Sequence, residues 1–306
     1  MRVIITGGSG LIGQALARDL SRAGSGAGHD VVILSRDPER VGTLPPGVRA
    51  ARWDGRTAQG WVALLEADTA LVHLAGDNVS QGRWTEEKKR RIRDSRVVSG
   101  QAVMDALRQA AVKPRVLVQA SAVGYYGARG DEAVPEDTPP GRGFLAQVCE
   151  EWEASTAEAE SLGVRRAVVR TGIVLAREGG ALPVMALPFQ MMIGGRLGDG
   201  RQWFPWIHVD DEVAALRFLL EHEDARGAFN LAAPHPVTNR ELTRVLARVL
   251  VRPALFPVPG FALRIAVGEM AGALLAGQRA VPAHLEKLGF AFRWPDLEPA
   301  LRNLLD

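Results

Sequence analysis

One cysteine, Cys149, stands in 306 residues. A lone cysteine excludes an intrachain disulfide and leaves no cysteine pair for a structural zinc site, and no metal is expected. Long apolar runs are missing as well. None reaches the roughly 18 residues of a membrane span; residues 261–276 come nearest, and Arg264 and Glu269 interrupt them. Charge of one sign is also lacking. Lys and Arg number 37 against 35 Asp and Glu, a net +2, and no basic stripe with interleaved aromatics marks a nucleic-acid surface. The chain opens directly on strand-like residues rather than on a secretory leader, so a cytoplasmic location without membrane or nucleic-acid partners is the expectation. Tyrosine is the scarcest aromatic: Tyr125 and Tyr126 are the only two.

What is present is an alternation. Residues 2–6, 30–35, 48–52, 69–74, 115–121 and 164–170 are short and nearly continuous in apolar character, as in strands buried on both faces. Amphipathic stretches lie between them. Leu11, Ile12, Ala15, Leu16 and Leu20 share one face of a helix over 11–23. Further helices are expected over 84–112 and 145–162. This alternation predicts an α/β fold, a doubly wound parallel Rossmann sheet with right-handed crossovers. The pattern changes after 175. Glycine and proline crowd residues 179–205. A strand over 206–209, a helix over 211–222, a short strand over 228–231 and helices over 239–250, 260–276 and 282–288 follow. The expected division is a dinucleotide-binding unit over 1–175 and a smaller, mainly helical substrate lobe over 176–306, with 203–232 partly returning to the main sheet.

Gly7, Gly10 and Gly13 follow the first strand in a G-x-x-G-x-x-G spacing and open the first helix. Gly7 permits a tight turn, Gly10 a close approach to a pyrophosphate, and Gly13 close packing of helix and sheet. Leu11, Ile12 and Gly13 then offer their amides at a helix N-terminus. The second strand should end beside the adenosine ribose. It ends in Ser35 and Arg36, where an acid would select NAD; a hydroxyl and a guanidinium suit the 2′-phosphate of NADP(H) instead. The run at 24–28 reads as a small insertion that delays this strand. Asp54, after the third strand, is placed to meet the adenine amino group. Leu74, Ala75 and Gly76 end the fourth, where small residues let the backbone pass a cofactor.

These motifs, with Ser121-Ala122-Val123-Gly124-Tyr125-Tyr126-Gly127 and Pro205-Trp206-Ile207-His208-Val209-Asp210-Asp211, resemble the extended short-chain dehydrogenase/reductase superfamily. Gly82-Arg83-Trp84-Thr85, the run from Phe144 to Glu153, and Gln278-Arg279-Ala280-Val281-Pro282 place the resemblance within its epimerase family protein group, related to NAD(P)-dependent nucleotide-sugar epimerases. The resemblance implies an epimerase-like fold and NADP(H), but no established substrate. It also implies a serine, a tyrosine, and a lysine four residues after the tyrosine, which couple proton transfer to hydride transfer at one carbon–oxygen bond. Ser121 fills the first place, although aligning Tyr126-Gly127 puts Ala122 there. Residues 144–148 lack the tyrosine, and residues 145–162 lack the lysine. Tyr125 and Tyr126 then stand as a relocated proton donor, as pocket lining, or as a packed loop pair. Cys149, Glu150 and Glu153 read as an inert cysteine and solvated helix carboxylates. Arg83, Trp84, Arg93 and Arg96 read either as a site for an anionic small-molecule substrate or as a solvated face. Trp203, Phe204, Trp206 and His208 suit a stacked substrate ring and a general acid, against core packing and a structural histidine. Asp210 and Asp211 are expected to cap the helix after them. Two functions follow: an NADP(H)-dependent oxidoreductase or epimerase acting on a hydroxyl or carbonyl compound, or a non-catalytic NADP(H)-binding sensor or scaffold. Nothing in the sequence fixes an oligomer.

Overall fold

Strands buried on both faces need two cores, and the computed structural model, which describes residues 1–22 and 29–306, supplies them. The insertion expected at 24–28 lies outside the described residues. The central sheet comprises β1 (Arg2–Thr6), β2 (Asp30–Ser35), β3 (Val48–Arg52), β4 (Thr69–His73), β5 (Val116–Ala122), β6 (Arg165–Thr171) and β7 (Gly227–Leu231). Their order is β3-β2-β1-β4-β5-β6-β7, and every neighbouring pair is parallel. The helices that position the site are α1 (Leu11–Ser21), α2 (Glu86–Gln109), α3 (Phe144–Ala154), α4 (Ala181–Gln190), α5 (Val209–Glu221), α6 (Asn239–Leu250), α7 (Gly260–Val267), α8 (Met270–Leu275), α9 (Ala283–Lys287) and α10 (Leu297–Leu305).

Side chains alternate between the two faces of each strand. Val3, Ile5, Val31, Ile33, Val72 and Val118 pack with Leu16 and Leu20 of α1 and Leu216 and Leu219 of α5. Ile4, Val32, Leu34, Leu71 and Leu117 face the other way, onto Val103, Ala106 and Leu107 of α2. Arg165 pins α5 to the sheet: its guanidinium donates to the carbonyls of Leu219, Leu220 and Ala225. A third core joins Leu182 and Phe189 of α4, Trp206, Leu242 and Leu246 of α6, and Leu301 and Leu304 of α10. Among the described residues, no helix is long and apolar enough to cross a membrane.

Several expected bounds change. The helix over 145–162 ends at Ala154, because Ser155 turns its hydroxyl onto the Trp152 carbonyl and buried Thr156 bonds Gln119 and Arg166. The helix over 260–276 divides at Gly268, whose φ of +65° breaks it into α7 and α8. α4 lies within the glycine- and proline-rich stretch, with Pro183 in its first turn, where no amide partner is lost, and Pro188 inside it, where one intrahelical bond is lost. α10 was not expected. Asp210 and Asp211 do not cap α5 with their side chains: the His208 ring does, accepting from the Asp210 amide at 3.0 Å, while the Asp211 carboxylate accepts from the amides of Arg293 and Trp294.

Candidate functional site

The strand order reverses between β1 and β4, and the crevice at their carboxyl ends is where open α/β sheets bind ligands. Gly7 follows β1 with φ +70°, and a Cβ there would stand 2.7 Å from the Leu74 carbonyl carbon beyond β4. A Cβ on Gly13 would meet the Gly8 Cα at 2.6 Å, so its close contact is with the turn itself. Gly8, which sequence reasoning passed over, leaves no room either, because Ile33 would lie at 2.6 Å. Gly10 precedes α1 without a side-chain cap, so the amides of Leu11, Ile12 and Gly13 in its first turn have no side-chain acceptor. That is the donor set a diphosphate needs. Buried His73, at the end of β4, bonds Thr6 at 2.7 Å and Ser99 at 3.3 Å, and burial lowers its pKa to about 4, so the crevice floor is neutral there.

The carboxyl ends of β2 and β3 carry charges of both signs. A cavity of about 370 Å³ is lined by Arg36, Asp37, Pro38, Glu39 and Arg52. Arg52, on the neighbouring strand, is a second guanidinium that sequence reasoning missed; its signal was a charged residue closing an apolar run. Ser35 is partly spoken for, since its hydroxyl donates to the Asp37 carbonyl and accepts from the Asp37 amide. Asp54 turns onto its own loop. Burial would raise its pKa, but bonds from the Arg56 and Thr57 amides and the Thr57 hydroxyl, each at 2.8 Å, hold it below the ordinary carboxylate value.

At the other end, the structure separates residues that the sequence grouped. Ser121, 4% exposed, donates to Glu153 Oε1 at 2.6 Å. Glu153 is no solvated carboxylate: Arg170 grips both of its oxygens at 2.9 Å. Burial would lower the Arg170 pKa, and the Glu153 bonds more than offset it, so the guanidinium stays charged. Tyr126 is fully enclosed. Its hydroxyl donates to Asn230 Oδ1 at 2.6 Å and accepts from Arg170 at 3.0 Å, and burial pushes its pKa up to about 12. Ser121 and Tyr126 are therefore structural ties rather than groups offered to a substrate. Tyr125 differs. It is half-buried, with the Arg170 guanidinium 3.5 Å from its ring centroid. Burial raises its pKa, while Arg170 opposes the shift. Cys149 is enclosed, and burial pushes its thiol up to about 11, leaving it protonated and inert.

The remaining candidates scatter. Trp206 is fully buried in the third core and presents no ring to a ligand. His208, 1% exposed, bonds Asn303 and stacks on Trp294, and burial lowers its pKa, so it is a structural histidine rather than a general acid. Phe204 pairs with Val237, and Trp203 donates to Asp131 and lies under Arg279. Arg83 donates to the Ile265 carbonyl of α7, and Arg93 pairs with Glu151 while Glu150 stays exposed. Trp84 donates to the Val79 carbonyl and meets Phe144 edge-on at 5.3 Å. Arg96 alone of this group reaches the crevice wall, against Gly76.

Comparison with known proteins agrees with this fold. Residues 3–232 match the model of the NAD dependent epimerase/dehydratase family, and residues 258–304 match a domain of unknown function. An epimerase family protein of Mycobacterium leprae is 40% identical over 98% of this chain and 94% of its own. The crystal structure of the human epimerase family protein SDR39U1 (isoform 2) with NADPH superposes with a TM-score of 0.87 at 31% identity, covering 99% of both chains. The UDP-glucose 4-epimerase of Thermus thermophilus, in complex with NAD, has a TM-score of 0.78 at 21% identity over 99% of this chain and 97% of its own, which is a likeness of fold.

Proposed function

Since the chain belongs to the NAD dependent epimerase/dehydratase family, we propose that it binds NADP(H) and exchanges hydride with a small hydroxyl or carbonyl compound, as an oxidoreductase or epimerase. The observation that carries the cofactor half is the pair of guanidiniums, Arg36 and Arg52, around one cavity at the ends of β2 and β3. Two guanidiniums there, with Asp37 and Glu39 beside them, suit a phosphate better than a neutral ribose. The relative crystallised with NADPH supports the same choice. When bound, the nicotinamide would supply hydride to a carbonyl or take it from a carbinol carbon.

This chain's own residues supply position and a proton. The first turn of α1 receives the diphosphate, and Arg36 with Arg52 receives the 2′-phosphate. Tyr125, half-buried and with no internal bond from its hydroxyl among the described residues, is the phenol left for proton transfer at the substrate oxygen. An anionic substrate, a nucleotide sugar among the candidates, suits Arg96 at the crevice wall. The competing reading is a non-catalytic NADP(H) sensor, favoured by the commitment of the Ser121 and Tyr126 hydroxyls to internal bonds.

Binding measurements separate these readings. Arg36→Ala and Arg52→Ala should each lower NADPH affinity by about tenfold, near 1.4 kcal/mol, and leave NADH affinity almost unchanged. An unaltered NADPH/NADH ratio in both variants removes the 2′-phosphate assignment. If a screen of carbonyl compounds and sugar nucleotides yields turnover, Tyr125→Phe should abolish most of it and Tyr126→Phe should not. Cofactor binding with no turnover in that screen favours the sensor.

A further inference from the structure

The C-terminal part of the chain carries apolar side chains on its outside. Among the described residues, the exposed large apolar side chains, Val112 apart, all lie between Val184 and Leu274. α4 holds no charged residue. Its Leu182 and Phe189 face the third core, while Val184 and Leu187 face outward, Val184 at 72% exposure. A surface helix ordinarily turns polar residues that way. Met191, Met192 and Ile193 follow, all exposed, in a turn where Met192 holds a φ of +65°, a strained value for a residue with a side chain. The stretch 255–265 adjoins this turn. The Phe256 amide donates to the Gly194 carbonyl at 3.1 Å, and the Val258 amide to the Arg196 carbonyl at 2.8 Å. That stretch adds exposed Leu255 and Phe256, then Phe261 and Ile265 one turn apart on α7. Apolar side chains gathered in this way mark an interaction surface.

The charges within this face have one sign. No Asp or Glu lies between Glu178 and Asp199 or between Glu241 and Glu269, whereas Arg196, Arg244, Arg248, Arg252 and Arg264 do. Arg248 pairs with Glu298, and Arg244 lies 3.9 Å from Glu241; among the described residues, Arg196, Arg252 and Arg264 pair with no carboxylate. A cavity of about 310 Å³ opens beside Leu255, lined by Arg196, Arg240, Thr243 and Arg244, and none of its lining residues is acidic. Arg240 and Arg244 stand one turn apart on α6, where like charges repel, and an anion between them removes that cost. We propose that this face docks on an anionic phospholipid bilayer. Met191, Met192, Ile193, Leu255 and Phe256 enter the acyl boundary, and headgroup phosphates meet the arginines, one of them in the cavity. Apolar side chains bordered by arginine are the make-up of a surface that lies in the membrane interface. A second copy of the chain fits less well, because a two-fold dimer sets each face on its own counterpart and brings arginine to arginine. The expectation of no membrane partner rested on the lack of a spanning segment, which a docking face does not need.

Flotation of the full chain with lipid vesicles tests it. The chain should float with vesicles of phosphatidylcholine and phosphatidylglycerol and not with phosphatidylcholine alone, and high salt should release part of it. Met192→Asp and Leu255→Asp should each weaken the binding by about tenfold or more, and Arg196→Gln and Arg244→Gln by about fivefold each. All four positions are exposed, and Asp tolerates a positive φ at least as well as Met, so each variant should keep the Tm of the unmodified chain. No binding to the phosphatidylglycerol vesicles overturns the proposal. Binding that Met192→Asp and Leu255→Asp leave intact overturns it too, since another surface then docks. Sedimentation equilibrium without vesicles tests the second copy: a dimer that the same two variants dissociate, in a chain that ignores vesicles, assigns the face to self-association instead. Glycerol phosphate that binds by calorimetry to a chain that ignores vesicles makes the cavity a site for a free phosphate ester, and the docking falls with that result as well.

Discussion

Glu212 is the residue whose chemistry departs furthest from its composition. It sits in the first turn of α5, 1% exposed, and accepts from the Thr171 hydroxyl at 2.9 Å, while Oε2 is buried without a partner. Burial pushes the carboxyl from 4.5 up to about 8, and the Thr171 bond opposes this only in part. The folded protein therefore keeps the proton at neutral pH, while the unfolded chain releases it near 4.5. Stability from this group is full below about pH 4.5 and is lost as pH rises through about 8. Glu212→Gln keeps a neutral side chain of the same shape, so its Tm advantage over the unmodified chain should widen from pH 5 to pH 9. Parallel Tm–pH curves would show that the carboxyl is not protonated. The Glu153–Arg170 pair makes the opposite case. Glu153→Gln leaves Arg170 buried and half-paired, which should cost about 3 kcal/mol in urea denaturation, whereas Ser121→Ala should cost about 1 kcal/mol. A charge at Arg170 inside an apolar strand was visible in the sequence. Its partner was not, because Glu153 lies 17 residues away on α3 among carboxylates that do face water.

Among the elements, strands and the glycine turn were the legible ones, and for one reason. A strand buried on both faces needs an uninterrupted apolar run, and the turn needs glycine where backbone meets backbone; each demand leaves a local mark. β1, β2 and β3 accordingly have the bounds expected of them. Helix ends are set by distant partners instead. α3 stops where Thr156 meets Gln119 and Arg166, and α10 is stabilised by its contact with α6, neither of which leaves a local signature. The turn offers a direct test. Gly13→Ala places a methyl 2.6 Å from the Gly8 Cα, between two pieces of backbone that cannot rotate aside. α1 must move off the turn, and its amides leave the diphosphate. NADPH affinity should fall by at least about tenfold, with a Tm loss that excess cofactor does not restore. Gly82→Ala has nothing within 4 Å of the new methyl; it strains only its own φ of +78° and should leave NADPH binding unchanged.

For the whole molecule, the question is whether the segment beyond 257 is an appendage or part of one cooperative fold. The bonds argue for one fold. Asn230, on β7, donates to the carbonyls of Val134 and Val281 and accepts from Tyr126, so one buried side chain joins the central sheet, the loop after β5 and the C-terminal segment. Glu136 repeats the join: its Oε1 accepts from the amides of Asn230 and His284. Gln278 donates to the Gly127 carbonyl, and Arg279–Ala280 pairs as a strand with Ala133–Val134. The loop that carries Tyr125 is thus framed from three directions. Tryptophans report on both regions, with Trp53 and Trp61 in the sheet core and Trp206 in the third core. Urea unfolding followed by tryptophan fluorescence and by far-ultraviolet circular dichroism should give one coincident transition. Asn230→Ala leaves the Val281 carbonyl without its partner, takes the acceptor from the Tyr126 hydroxyl and one of two donors from the Val134 carbonyl, and should lower stability by about 3 kcal/mol while keeping that transition single. Two separated transitions in the unmodified chain would mean that the C-terminal segment folds on its own, and that the loop carrying Tyr125 is held by the sheet alone.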